Sequence, residues 1–374
     1  MTKDGNLGLY IHIPFCVKKC NYCDFYSVTP TAHLKSRYIE SICKEIKKWG
    51  ERTARPIDTL YIGGGTPSLL SEAELTDIFY AVKESFNLLD SAEITVEVNP
   101  GDNLEEFLKY ATRIGVNRIS IGVQSCNNNE LCTLGRRHTA QEAKKAVLTA
   151  RKLGIKNISA DIMIGLPDST ADTLKTSIDG ILALETEHIS AYILKVEKGT
   201  PFDLMKISVP DDDEVSGQYL QLCSALKEAG FEHYEISNFA KKGFESRHNN
   251  RYWKQEEYLG IGPGAHSFFE GERFYYDRDI NSFIDSPKTI SDGEGGDEAE
   301  FIMLSLRLSR GLIFKEFEEK FKKPIDKLIL KKAENLSKHG FCIADDNRIS
   351  LTDKGMLVSN TIIFNLLGDL YENI

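Results

Sequence analysis

Residues 7–23 read Leu7-Gly-Leu-Tyr-Ile-His-Ile-Pro-Phe-Cys16-Val-Lys-Lys-Cys20-Asn-Tyr-Cys23, a strand-like apolar run that opens directly onto three cysteines. The other five cysteines (Cys43, Cys126, Cys132, Cys223 and Cys342) lie far away in sequence. A zinc site wants four ligands and often takes them as paired Cys-x2-Cys knuckles, and the second pair is absent here. Three thiolates on one tight loop suit a [4Fe–4S] cluster, with three irons held by sulfur and the fourth left open for a small molecule. The plainer alternatives are three unlinked buried cysteines or a metal site completed from a distant segment.

Working outward from that loop, short apolar runs rich in β-branched residues alternate with segments of helical period. Strands are expected over 7–13, 58–62, 93–98, 118–123, 158–164 and 188–194. Helices are expected over 34–49, 72–86, 104–114, 139–153, 170–184 and 213–229. Six strand–helix repeats imply an α/β fold with a parallel sheet and helices on its outer face. Their regular spacing favours a partial (β/α)6 TIM-like barrel over a doubly wound open sheet. Each strand leads into Gly, Pro and polar residues at its C-terminal end: the cysteine loop, Gly63-Gly-Gly-Thr-Pro67, Glu97-Val-Asn-Pro-Gly101, Gly122-Val-Gln-Ser125 and Gly165-Leu-Pro-Asp168. Parallel sheets and barrels assemble their sites at that rim.

The expected organisation is a barrel core over 1–230, an accessory segment over 231–285, an acidic Gly-rich linker over 286–298 and a smaller helical C-terminal domain over 299–374. In that domain a hairpin over 341–351, turning at Asp345-Asp346-Asn347, follows helices in the manner of a winged-helix module. DNA binding is the sharper reading of such a module. Its nearly balanced charge favours packing or a lid.

The whole chain of 374 residues is 41% hydrophobic and 27% charged, as a globular protein should be, and its net charge of −10 argues against a nucleic-acid partner. The polar start and the shortness of the following apolar run argue against a signal peptide, and no stretch is long enough to cross a bilayer. A cytoplasmic protein is expected, where clustered cysteines serve as ligands rather than disulfides. Peripheral membrane contact through a partner stays open.

Gly63-Gly-Gly-Thr-Pro67 lacks the Gly-Lys-Ser/Thr ending of a phosphate loop, but its bare backbone lets a ligand approach closely. Taken with Cys16-x3-Cys20-x2-Cys23, it resembles the radical S-adenosylmethionine (SAM) superfamily. Further stretches make the chain similar, from Leu7 to its C-terminal module, to the oxygen-independent coproporphyrinogen III oxidase-like branch, and within it to heme-chaperone members. These are Tyr10-Ile-His-Ile-Pro-Phe15, Glu97-Val-Asn-Pro100, Arg118-Ile-Ser-Ile-Gly-Val-Gln124, Leu134-Gly-Arg-Arg-His138, Asp161-Ile-Met-Ile-Gly-Leu-Pro167 and His248-Asn-Asn-Arg-Tyr-Trp253. The resemblance implies a [4Fe–4S] cluster on Cys16, Cys20 and Cys23. It implies SAM contacts at Tyr10, Tyr22, Gly64, Gly65, Thr66, Glu97, Gln124, Arg136 and Asp161. The residue types suit that role: carboxylates for ribose hydroxyls or an amine, a planar guanidinium for a carboxylate, and an aromatic ring for adenine.

Catalytic dehydrogenases of this branch continue the motif as Cys-x3-Cys-x2-Cys-x-Cys. Here the last position is Phe25. The chaperone members carry Phe there and add the His-Asn-x-x-Tyr-Trp motif, which implies heme as cargo near His248, Asn249, Tyr252 and Trp253. On a helix, 248 and 252 share a face, as do 249 and 253. An aromatic packing corner is the bland alternative, and His12 and His266 compete as iron ligands. Three functions follow from the resemblance. One is a heme chaperone delivering to respiratory or other hemoproteins. A second is an oxygen-independent coproporphyrinogen III dehydrogenase, and a third is a related radical methyltransferase or heme-opening enzyme. Phe25 and the 248–253 motif favour the first, and whether the chain is an enzyme stays open. No general acid or base is nominated, because in such sites the cofactor carries the chemistry.

Overall fold

The structure is a computed structural model and describes residues 5–101 and 103–368. Residues 1–4, 102 and 369–374 of the expected domains lie outside the described residues. Six strands, β1 (Leu7–Ile13), β2 (Ile57–Gly64), β3 (Leu88–Val98), β4 (Arg118–Gln124), β5 (Asn157–Ile164) and β6 (His188–Ile193), pair in parallel in the order of the chain. Helices intervene at Ala32–Gly50, Glu72–Ser85, Leu104–Ile114, Ala140–Lys152 and Ala171–Leu182. Crossovers between parallel strands are right-handed, so a strand order that never reverses winds every helix onto the same face. A doubly wound sheet would need a reversal of order. The outer edge of β1 is taken by the parallel strand Tyr258–Ile261. Three antiparallel strands, His266–Phe269, Glu272–Tyr276 and Thr289–Glu294, continue the sheet beyond it.

Alternation along the strands explains the two faces. Leu9, Ile11, Ile13, Leu60, Ile62, Ile94, Val96, Ile119, Ile121, Ile158, Ala160 and Ile189 are buried aliphatics of one parity. The opposite parity carries Tyr10, His12, Tyr61, Gly63, Glu97, Asn99, Ser120, Gln124 and Asp161. Because successive side chains point to opposite faces, the first set forms one surface and the second the other. A Cβ on Gly115 would touch Phe79 of the helix Glu72–Ser85 and Ile94 of β3, which puts the aliphatic surface against the helices. Each fully buried Leu or Ile there contributes about 1.5–3 kcal/mol. Capping boxes at Ser71/Glu74, Thr139/Glu142 and Thr170/Thr173 begin three of those helices, satisfying backbone N–H groups that the helix itself cannot.

The chain divides into two compact units: residues up to Pro210 with Glu257–Glu294, and Asp211–Glu256 with residues from Gly295 onward. This division differs from the expected boundaries. Helix Asp212–Glu228, expected with the barrel, belongs to the second unit, and the segment 231–285 is shared between both. Helical period is the same whichever partner a helix packs on. The expected linker over 286–298 contains the strand Thr289–Glu294, paired through its backbone to Glu272–Tyr276. All six of its residues are exposed, so its composition reads as loop although its main chain is in the sheet.

In the second unit, helices Phe314–Phe321 and Lys327–Lys338 precede the hairpin Cys342–Ala344/Arg348–Leu351, which is joined on its other edge by Leu312–Ile313. The hairpin turns where expected, with the Asp345 carboxylate accepting from the N–H groups of Asn347 and Arg348 at 2.8 and 3.0 Å. Among the described residues no helix is long and apolar enough to cross a membrane.

Candidate functional site

The cysteine loop leaves the C-terminal end of β1 and is tied down at several points. The N–H of Cys16 donates to Val28 O at 3.0 Å and that of Cys23 to Cys20 O at 3.2 Å. Asn21 anchors the middle through its N–H to Leu134 O at 3.0 Å and its amide Nδ2 to Thr133 O at 2.8 Å. All three thiols are free and half-buried. They do not all lie within 4.8 Å of one another, since no such group of ligands containing them occurs among the described residues. One ion would need its ligands crowded around a point, whereas a [4Fe–4S] cluster takes each thiolate on a different iron. The Cys16-x3-Cys20-x2-Cys23 loop supplies three such thiolates. Burial holds the Cys23 thiol up at about 11, so a bound cation has to displace its proton.

A hydrogen-bonded arc joins two of the thiols across four strand ends. Cys16 Sγ lies 3.5 Å from the Thr66 hydroxyl, which accepts from Asn99 Nδ2 at 2.9 Å. Asn99 Oδ1 accepts from Arg136 Nη2 at 2.5 Å, and Arg136 Nη1 donates to Cys20 Sγ at 3.5 Å. Arg136 Nη2 also donates to Gly122 O at 2.6 Å, while its buried Nε has no hydrogen-bond partner. A Cβ on Gly122 would crowd Arg136, Asn99 and the Gln124 amide alike, so these three groups converge on that glycine. Gln124 itself is buried with φ +69. A left-handed backbone in a non-glycine residue costs about 1–3 kcal/mol and clusters at ligand sites.

Deeper on the same face, Glu97 has both oxygens engaged, by the Tyr61 hydroxyl and the Gly64 N–H, each at 2.8 Å. Burial raises its pKa. Asp161 accepts from Ser120 at 3.0 Å, and burial, followed by the charge of Glu97, pushes it up to about 6. Tyr10 stacks obliquely 6.0 Å from Tyr61. Tyr22 packs against the apolar cluster of Leu134, Met163, Leu166, Leu194 and Phe202.

The glycine segment has little room. Gly64 has φ +111, and a Cβ there would overlap the His12 imidazole; one on Gly65 would press on the Phe15 and Ile13 carbonyls at 2.7 and 2.8 Å. The Gly65 N–H donates to Ile13 O at 2.8 Å and that of Gly64 to Glu97, so this backbone suits a donor group such as an ammonium better than an anion. Gly64→Ala is expected to cost about 3 kcal/mol, the sum of overpacking and left-handed strain. Urea unfolding checks this, and a loss under ~1 kcal/mol contradicts it.

The histidines separate cleanly. His12 is buried with both nitrogens engaged: Nε2 donates to Tyr26 O at 3.0 Å, so Nδ1 accepts from the Tyr10 hydroxyl at 3.0 Å. Burial lowers it to about 4, and it is neutral at pH 7. His266 is exposed and stacks on Tyr275 with ring centroids 5.1 Å apart.

In the second unit, the 248–253 motif is the helix Arg247–Trp253, capped by Ser246, whose hydroxyl accepts from Asn249 N–H. His248 and Tyr252 share a face, with Nε2 and Oη 2.9 Å apart and the rings edge to face. His248 is buried at 1% exposure, so its imidazole reaches an incoming ligand only after a side-chain or helix movement. The Trp253 Nε1 is buried against the Glu235 carboxyl.

The structure thus gathers Tyr10, Gly64, Gly65, Thr66, Glu97, Gln124, Arg136 and Asp161 on the polar face and rim of one sheet, with Tyr22 in the thiol loop. Asn99, Tyr61 and Ser120 belong with them and were not singled out from sequence. The signal was present: Tyr61 and Ser120 in their strands, and Asn99 one residue past β3, occupy the same alternating parity as Glu97 and Asp161.

A profile described as the Radical SAM superfamily matches residues 10–180, and one for the HemN C-terminal domain matches residues 299–358. These matches define the class as a radical SAM protein, and that class implies a [4Fe–4S] cluster and SAM. The chain is 35% identical over 370 residues to the heme chaperone HemW of Lactococcus lactis subsp. lactis (strain IL1403), covering 96% of this chain and 97% of that protein. It is 34% identical over 377 residues to the heme chaperone HemW of Bacillus subtilis (strain 168), covering 96% and 99%. The solved coproporphyrinogen III oxidase HemN of Escherichia coli superposes with a TM-score of 0.86 at 22% identity, over 99% of this chain and 92% of that one, which shows a shared fold. The chain belongs to the HemW family of radical SAM proteins.

Proposed function

We propose that this chain is a heme chaperone that carries a [4Fe–4S] cluster and SAM, binds heme and passes it to hemoproteins such as respiratory enzymes. The observation that carries the reading is likeness to heme chaperones along nearly the whole chain. Phe25 supports it: the side chain is 67% exposed on the cluster loop, so no fourth thiol stands there for porphyrinogen chemistry.

Cys16, Cys20 and Cys23 hold the cluster, whose open iron supplies a site for the amine and carboxylate of SAM. Around it, Gly64, Gly65 and Thr66 offer close backbone and a hydroxyl, and Arg136 lies beside Cys20 as the cation for the carboxylate. Asn99 fixes Arg136 in that orientation. Glu97 and Asp161 present acceptors to ribose or amine, Gln124 offers donor and acceptor, and Tyr10 and Tyr22 bound the adenine. For heme, Trp253 offers a flat apolar surface and Asn249 a polar edge, while His248 and Tyr252 exchange their mutual hydrogen bond for iron.

Hemin titration followed by the Soret band tests the cargo. Saturable, near-stoichiometric binding is expected, weakened by His248→Ala together with Tyr252→Phe. Absence of saturable binding removes the chaperone reading. Conversion of coproporphyrinogen III to protoporphyrinogen IX by anaerobically reconstituted protein replaces it with a dehydrogenase.

A further inference from the structure

A second ligand cluster lies wholly within the second unit, apart from the thiol loop. Tyr219, Cys223 and Lys227 recur every four residues and so line one face of helix Asp212–Glu228. His233 stands on the strand Glu232–Glu235, and Asp353 is the first residue of helix Asp353–Leu357. Cys223 Sγ, one His233 ring nitrogen and one Asp353 carboxylate oxygen all lie within 4.8 Å of one another. This is the one group of three or more such side chains close enough to share an ion among the described residues.

Two features set it apart from ordinary core packing. The His233 ring is held in place, stacked on Phe239 with centroids 4.2 Å apart and bonded through Nδ1 to Asp353 Oδ1 at 3.1 Å. Its other nitrogen, Nε2, is buried without a hydrogen-bond partner, and the Tyr219 hydroxyl lies against the Cys223 thiol. His233 as a whole is 8% exposed and Tyr219 is 4% exposed. A buried ring nitrogen left unsatisfied is costly, and a His–Asp hydrogen bond alone does not account for a cysteine sulfur converging on the same point. Lys227 takes the other carboxylate oxygen at 2.5 Å, fixing the direction in which Asp353 faces the cluster.

We propose that Cys223, His233 and Asp353 form a binding site for one divalent cation of the zinc class. Thiolate, imidazole and carboxylate are that ion's usual donors, with bonds of ~2.0–2.3 Å. The two anionic ligands balance its charge, and the Cys223 proton leaves to solvent as the ion enters. Entry is from the Asp353 side, the one ligand of the three that is only half-buried. The fourth position falls to water or the Tyr219 hydroxyl. The ion ties the helix Asp212–Glu228 to the strand and the short helix, stapling the unit in the manner of a structural site.

Cluster-loaded protein titrated anaerobically with Co2+ tests the site, with iron content followed to show that the cluster stays intact. Saturable binding with a thiolate-to-cobalt charge-transfer band is expected, and Zn2+ should displace it and raise the unfolding temperature. Cys223→Ser should abolish the band, and Asp353→Asn should weaken binding by at least about tenfold. No saturable binding in the parent protein, or an unchanged band in Cys223→Ser, overturns the proposal. Should Cys223→Ser fail to fold by circular dichroism, the half-buried Asp353→Asn decides: unchanged cobalt affinity refutes the site.

Discussion

Anaerobically reconstituted Cys20→Ala protein is expected to come off the column colourless, with its iron and visible absorbance lost and its fold kept. Cys20 is half-buried on a loop and its thiol lies 3.5 Å from Arg136 Nη1, so the side chain holds little of the core together. The loop is instead anchored by Asn21 and by backbone bonds from Cys16 and Cys23, none of which needs the Cys20 sulfur. Far-UV circular dichroism should therefore match the parent while cluster content collapses. Cys16→Ala and Cys23→Ala should behave alike, whereas Cys43→Ala and Cys132→Ala should keep a full cluster. A Cys20→Ala protein that retains its iron would overturn the assignment of the loop.

Asp161→Asn should stabilise the fold at pH 7.5 by about 2–3 kcal/mol, while weakening SAM binding by tenfold or more through loss of a charged acceptor. Burial and the neighbouring Glu97 raise the folded pKa of Asp161 from 3.8 to about 6. A carboxyl whose pKa is raised on folding is protonated more readily in the native state, so its ionised form costs stability. That cost is complete above pH 6, shrinks as pH falls through the window from 6 to 3.8, and vanishes below it. The gain from Asn should follow the same course, large in urea titrations at pH 7.5 and absent near pH 3.5. An equal gain at both pH values would mean that shape rather than charge is responsible. A destabilising carboxylate kept on the polar face of a sheet is what a binding function demands of the fold.

The repeat of strand and helix was legible because it is local. Alternation in β1–β6, helical period between them and the capping residues all lie within a few positions of one another. The three cysteines and the glycine run were legible for the same reason. Even the polar residues missed at first, Asn99, Tyr61 and Ser120, sit in a pattern of period two that the sequence displays openly. The edge strand Thr289–Glu294 was not legible, since its residues are all exposed and only its backbone is paired.

By itself the sequence determined the class of fold, the thiol loop and the rim at which ligands gather, because each is written in neighbouring residues. Tertiary structure alone decided the rest. The arc from Cys16 through Thr66, Asn99 and Arg136 to Cys20 joins residues 33 to 116 positions apart, and strand register brings them together. His12 is held between the Tyr10 hydroxyl and the Tyr26 carbonyl, so both of its ring nitrogens are engaged by residues that the folded loop brings to it. Cys223 meets His233 and Asp353 because helix Asp212–Glu228 packs in the second unit, although its helical period would have served equally on the barrel. Local pattern encodes which elements form; the partner each element buries against is settled only when the whole chain competes for the same core.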